Sequence, residues 1–153
     1  MVITLKRAVA EDAQALIALL NLSFYDDYIK YGVCPGYNRT VESMAESITQ
    51  HQVYQIICDN APVGVIIVRV NGALDYHLGC LCVIPAYQNK GIGQFAMRAL
   101  EEYYPDAAHW SLDTPADKAG NLYFYQKHGF HVTKQYAVEG VTLAFLEKGH
   151  RSF

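Results

Sequence analysis

Residues 81–100 read LCVIPAYQNKGIGQFAMRAL, and they decide the fold because they join a buried strand to a helix through a loop suited to an anion. Cys80 to Ile84 is a short apolar run, and Pro85, which lacks an amide proton, follows it. A strand therefore stops near Ile84. From Ile92 onward apolar residues recur at Ile92, Ala96, Ala99 and Tyr103, with Phe95 and Leu100 beside them, the period of an amphipathic helix. Between strand and helix, Gln88-Asn89-Lys90-Gly91-Ile92-Gly93 carries two glycines, which accept backbone shapes and close approaches that other residues obstruct. Amides exposed at a helix N-terminus, together with the positive end of the helix dipole, attract an anion, and Lys90 adds a full charge beside them. The pattern is neither a Walker loop nor the three-glycine dinucleotide fingerprint, since the lysine precedes the glycines.

The 153 residues suit a single domain spanning 1–153, and 52% apolar with 18% charged side chains is enough for a full core. Twelve basic against fifteen acidic side chains give a net charge of −3, without the basic excess that drives binding to nucleic acid or an anionic membrane. No apolar run approaches the roughly 20 residues that span a bilayer, and residues 1–10 lack the pattern of a signal peptide. A cytoplasmic protein is expected. Cys34, Cys58, Cys80 and Cys82 show no C-x-x-C spacing, so reduced thiols and no metal site are expected, with Cys80 and Cys82 packing in the core.

Taken in order, Val2 to Val9 reads as a first strand, and Ala10-Glu11-Asp12 opens a helix whose inner face is Ala13, Leu16, Ile17, Leu20 and Phe24. Tyr25-Asp26-Asp27-Tyr28 then brings aromatics and acids together before Gly32, Pro35 and Gly36 break the chain. Tyr25, Asp26, Tyr28 and Tyr37 are candidate acceptor-binding residues; the other reading is that the rings are buried and only the hydroxyls exposed. Thr40 caps a helix through Gln50, with Val41, Met44, Ala45 and Ile48 inside and Glu42 and Glu46 outside. Val53 to Cys58 and Val63 to Val70 read as strands around a turn at Asp59 to Pro62. Asn71-Gly72 signals a hairpin into Ala73 to Ile84. Ala108 to Leu112 is a short strand broken by Asp113-Thr114-Pro115, Ala119 to His128 a helix stopped at Gly129, and Phe130 to Val138 pairs with Val141 to Glu147. This order of elements is α/β (α+β) with a mixed, mostly antiparallel sheet.

Val83, Pro85, Tyr87, Gln88, Lys90, Gly91, Ile92 and Gly93 form V-x-P-x-Y-Q-x-K-G-I-G, which resembles the acyl-CoA pyrophosphate loop of the GNAT superfamily of N-acetyltransferases. Tyr125-Gln126-Lys127-His128-Gly129-Phe130 resembles that family's second signature, Y-x-K-x-G-F, and stands in the expected order. The resemblance covers essentially the whole chain. It implies about six to seven strands flanked by about four helices, splayed at the central strands so that an acyl-pantetheine arm pairs with a freed strand edge.

By the same resemblance, acetyl-CoA is the co-substrate, held by Cys82, Val83, Gln88, Asn89, Lys90, Gly91, Ile92, Gly93 and Gln94. The Val83 amide would meet the thioester carbonyl. The family usually has Asn about seven residues before its signature Tyr. Lys118 holds that place here, and Asn121 is the substitute partner for the pantetheine arm. Tyr125 matches the family's general acid. His77, six residues before Val83, falls where the histone-modifying branch carries its catalytic Glu, and imidazole titrates near neutrality; Asp75 is the alternative base. The resemblance thus implies transfer of acetyl to a primary amine of a small molecule or peptide by direct attack, with a homodimer possible in this family. The alternative is a non-catalytic acyl-CoA sensor or interaction module of the same fold.

Overall fold

The structure is a computed structural model, and it describes residues 1–149. Seven strands and four α-helices follow one another as β1 (Ile3–Arg7), α1 (Ala13–Tyr31), α2 (Val41–Gln50), β2 (Gln52–Cys58), β3 (Ala61–Gly72), β4 (Asp75–Val83), α3 (Ile92–Tyr103), β5 (His109–Pro115), α4 (Ala119–Lys127), β6 (His131–Val138) and β7 (Val141–Gly149). The strands form one mixed sheet in the order β1-β2-β3-β4-β5-β7-β6, in which β4 and β5 run parallel. The expected fold class is the observed one. Contacts divide the chain into two compact units, Met1–Val68 with Cys80–Tyr103, and Arg69–Gly79 with the described residues from Tyr104 on.

In the first unit, β1 and β3 pair antiparallel with β2 on either side. The core joins Ala13, Leu16, Leu19 and Leu20 of α1 to Met44 and Ile48 of α2, and to Val53, Val65, Ile67 and Cys82 of the strands. Leu19 therefore joins the inner face expected for α1, while Ile17 and Phe24 are only partly buried against it. Thr40 caps α2 as expected, its hydroxyl accepting from the Ser43 amide at 3.1 Å. The inner residues of α3 are Ile92, Ala96, Met97 and Leu100, whereas the expected Phe95 and Tyr103 are exposed. Met97 takes their place because it lies one residue after Ala96 and three before Leu100, which centres the stripe away from Tyr103.

Two turns differ from expectation. Asp59 and Asn60 both have positive φ, 49° and 69°, which is the two-residue turn that suits a twisted hairpin. Pro62 consequently lies inside β3, opposite Ile57 at a register shift. The β3–β4 turn falls at Ala73-Leu74 rather than Asn71-Gly72. Leu74 takes a φ of 59° there, and its carbonyl accepts from the amides of Ala108 and His109 at 2.8 and 3.2 Å. Those long-range hydrogen bonds override the local preference of Asn-Gly.

In the second unit, the β4–β5 ladder runs from Asp75↔His109 to Leu78↔Leu112 and ends there, while β5 continues against β7 as far as Pro115↔Leu143. Asp113-Thr114-Pro115 thus prolongs β5 instead of breaking it, because β7 supplies the partner for every residue. Phe130 is fully buried, as Leu112, Ala144 and Leu146 are, and meets Tyr125 edge to face at 5.8 Å.

Candidate active site

The loop between β4 and α3 lies wholly in the first unit. After Val83 the Ile84 amide bonds to Val63 at 2.8 Å, and Pro85–Tyr87 makes a single 3-10 turn. The Gln88 side chain donates back to the Val83 carbonyl at 2.9 Å, closing the loop on the end of its own strand. Asn89 and Gly91 take positive φ, 62° and 79°, and a Cβ on Gly91 would meet nothing within 4 Å. Glycine at 91 thus serves the left-handed backbone and leaves open space at the first turn of α3, where helix amides have no intrahelical partner. Lys90 reaches over the Tyr87 ring at 5.5 Å. This donor set, amides plus one ammonium around open space, fits a diphosphate.

Upstream, Gly64 of β3 permits a close approach of strands. A Cβ there would collide with the Cys82 carbonyl oxygen and lie 2.8 Å from Ile56 Cδ1. The position of Cys82 and Val83 therefore depends on a residue with no side chain. The Cys82 thiol is buried and held below its usual pKa by a hydrogen bond with Cys80, against the desolvation that opposes it. Cys80 is pushed well up by the same contact and by burial.

Also in the first unit, a cavity of 460 Å³ is lined by Asn21, Tyr25, Asp26, Tyr37 and Pro85, among others. Gly32, with a φ of 75°, ends α1 and donates to Tyr28. The chain then folds back so that the Asn38 amide bonds to the Asn21 side chain at 2.8 Å. This brings Tyr37 to 6.1 Å from Tyr25 and stacks it on Tyr28 at 4.6 Å. Tyr25, Asp26 and Tyr37 thus line one cavity. Tyr28 supports Tyr37 from outside the cavity lining, and Glu42 and Glu46 are exposed on α2, also outside it.

The second unit holds the remaining candidates. Tyr125 is buried on α4, its ring edge-on to Phe124 at 5.1 Å as well as to Phe130. Asn121, one turn earlier, donates to Thr114 Oγ1 at 3.2 Å, which ties α4 to β5 and leaves its carbonyl oxygen available to another donor. His77 is buried, not turned to solvent. Its Nδ1 lies 2.8 Å from Ser111 Oγ and its Nε2 3.5 Å from Asp113 Oδ2. Burial lowers its pKa first, with Arg69 and His109 adding to the shift and Asp113 and Asp75 opposing it. Asp75 is already engaged: it accepts from His109 Nδ1 at 2.6 Å, and His109 Nε2 lies 2.9 Å from Glu147. His109, Ser111, Asp113 and Glu147 escaped the sequence reading. The signal was polar alternation at 109, 111 and 113, hidden because the strand was ended at Leu112.

Residues 13–130 match the profile of the acetyltransferase (GNAT) family. The chain belongs to this family. A curated Bacillus subtilis protein, the uncharacterized YrkN, is 38% identical over 86 residues, which is 55% of this chain and 46% of that protein; the chain thus spans about half the length of that relative. Among solved structures, the PaiA N-acetyltransferase of Thermoplasma acidophilum in complex with coenzyme A superposes with a TM-score of 0.81 at 19% identity, covering 98% of this chain and all (100%) of that one. The ribosomal-protein-S18-alanine N-acetyltransferase of Escherichia coli gives 0.79 at 15% identity, over 97% and 94%. A GNAT acetyltransferase of Elizabethkingia anophelis with acetyl-CoA bound gives 0.69 at 17%, over 97% and 98%. At these identities the structures establish the GNAT fold.

Proposed function

We propose that the protein is an N-acetyltransferase that moves acetyl from acetyl-CoA to a cationic primary amine of a small molecule or peptide. The observation that carries this reading is the open, glycine-shaped loop at the start of α3, found on a chain of the GNAT family. Amides from Asn89 to Gln94, with Lys90, take the diphosphate, while the Gln88 amide bonds to the Pro85 carbonyl at 3.2 Å. The Cys82-Val83 backbone faces the thioester carbonyl and lends the Val83 amide to the charge that develops on its oxygen. Coenzyme A supplies a good thiolate leaving group, and Tyr125 donates the proton that thiolate takes up. Asn121 holds the pantetheine arm.

The acceptor arrives protonated, since an alkyl amine has a pKa near about 10. Tyr25, Tyr37 and Asp26 line one cavity, and aromatic rings beside a carboxylate are a combination that attracts an ammonium. The attacking amine must lose a proton, and His77, kept neutral by its burial, accepts it. Asp75 is less available to an amine because His109 occupies it at 2.6 Å. Among the described residues no helix is long and apolar enough to cross a membrane, and we take the enzyme to act in the cytoplasm, with a homodimer as the expected assembly.

The test is thiol release from acetyl-CoA against monoamines, diamines, polyamines, amino acids and N-terminal peptides, with CoA binding recorded on the same sample. Turnover confined to amines bearing a second positive charge, and weakened about tenfold in KM by Asp26→Asn, is the expected result. Coenzyme A binding without turnover on any amine would favour the sensor reading. No binding would overturn the proposal.

A further inference from the structure

His77, Ser111, Asp113 and Tyr136 form a cluster that the catalytic reading uses only in part. His77 of β4 stands opposite Ser111 in the parallel ladder, and Asp113, two residues further along β5, projects to the same side. Asp113 Oδ2 faces His77 Nε2 at 3.5 Å, and its Oδ1 accepts the Tyr136 hydroxyl of β6 at 2.6 Å. Phe145 of β7, paired with Asp113, stacks its ring near the imidazole at 6.4 Å and 16°.

The charged and titratable groups around His77 come from several strands. Arg69 of β3, Asp75 of its own strand, and His109 and Asp113 of β5 act on it directly. Tyr136 of β6 acts through Asp113, and Glu147 of β7 is bound to His109 and to Thr133. Of these, only Asp113 is within reach of Nε2. A carboxylate can only accept a hydrogen, and a serine hydroxyl can give or receive one.

We infer that Asp113 is the positioning residue for His77: its carboxylate keeps the hydrogen of the neutral imidazole on Nε2, so that Nδ1 is the basic nitrogen and takes up the amine's proton by way of Ser111 Oγ, which passes its own hydrogen to Nδ1 as it accepts the incoming one. Tyr136 fixes the carboxylate from the other side. This rests on the reading of His77 as the base and adds what makes that base uniform. A histidine that divided its population between two tautomers would present its lone pair correctly only part of the time. The side chain of Asp113 is 27% exposed against 9% for His77, so of the pair the carboxylate is the better hydrated.

Nitrogen-15 NMR of His77 in the 153-residue chain tests this without any acceptor. The expected spectrum above the imidazole pKa is that of the Nε2–H form, changing toward mixed tautomers in Asp113→Asn. Removing the carboxylate also removes a group that favours imidazolium, so the His77 titration should move to lower pH. With an amine active in the transfer assay, Asp113→Asn should lower kcat by roughly 10- to 100-fold, leave KM for acetyl-CoA unchanged, and shift the acid limb of the pH profile the same way. Tyr136→Phe, at an exposed position that tolerates change, should produce the same shift in smaller degree.

An Nδ1–H spectrum in the parent protein, or a spectrum and pH profile unmoved by Asp113→Asn, would overturn the assignment. His77→Gln separates the two levels. If it erases the acid limb while Asp113→Asn does nothing, only the positioning role falls; if it leaves the limb in place, the base reading falls and the role of Asp113 with it.

Discussion

Gly91 shows what a single residue contributes, because its φ of 79° and the empty space about it are separate requirements. Gly91→Glu violates both: the backbone becomes strained, and a carboxylate enters the space proposed for the diphosphate. Coenzyme A affinity should fall by at least about 100-fold, or ~2.7 kcal/mol, and calorimetry reads this directly. Retained affinity would remove the loop from the binding site. Tyr125→Phe asks a different question, since the ring packs against Phe124 and Phe130 whether or not the hydroxyl is present. The fold should persist and coenzyme A affinity should hold, while kcat falls by about 100-fold. Unchanged turnover would leave Tyr125 as a core residue only. These two positions were legible in the sequence because glycine and tyrosine there sit inside short local motifs. His109 and Asp113 were not, since what gives them meaning is a strand partner 34 or more residues away, Asp75 or His77 across the ladder.

At the scale of the element, β4 is held differently along its length. Its first residues pair with β5 in the second unit, and its last ones lie against Gly64 of β3 in the first. Gly64→Ala forces Cys82 away and drives a methyl group toward Ile56. Overpacking of this kind costs about 1–3 kcal/mol, measurable as a lower urea midpoint. Because the shifted backbone leads into Val83, KM for acetyl-CoA should rise in the same variant, and a loss of stability without a change in KM would separate the two. Most elements could be read from local pattern: α2 from the Thr40 cap and its apolar spacing, and β6–β7 from the two strand patterns that end at Val138 and resume at Val141. The errors fell where long-range pairing outweighed local chemistry. Asn71-Gly72 was overridden by hydrogen bonds to Leu74, and Pro115 was kept in β5 by β7.

For the molecule as a whole, the buried imidazole and the retained phenol limit stability from opposite sides of pH. His77 has its pKa lowered, chiefly by burial, so the unfolded chain binds its proton more tightly than the folded one. Its contribution is complete above about pH 6.5 and is lost as pH falls through the lower folded value. Tyr136 is pushed up to about 12, by burial and then by its bond to Asp113. Its contribution is complete below about pH 10 and is lost as pH rises through the folded value. Trp110 is the one tryptophan in the chain and lies in β5 opposite Tyr76, next to His77. Its fluorescence therefore reports on the unit that contains both groups. Urea midpoints followed by Trp110 should form a plateau between those limits. His77→Gln should make the acid side shallower and leave the alkaline side alone, and Tyr136→Phe should make the alkaline side shallower. Equal slopes in parent and variant on the side concerned would show that the imidazole or the phenol is bound no differently in the folded and unfolded chains.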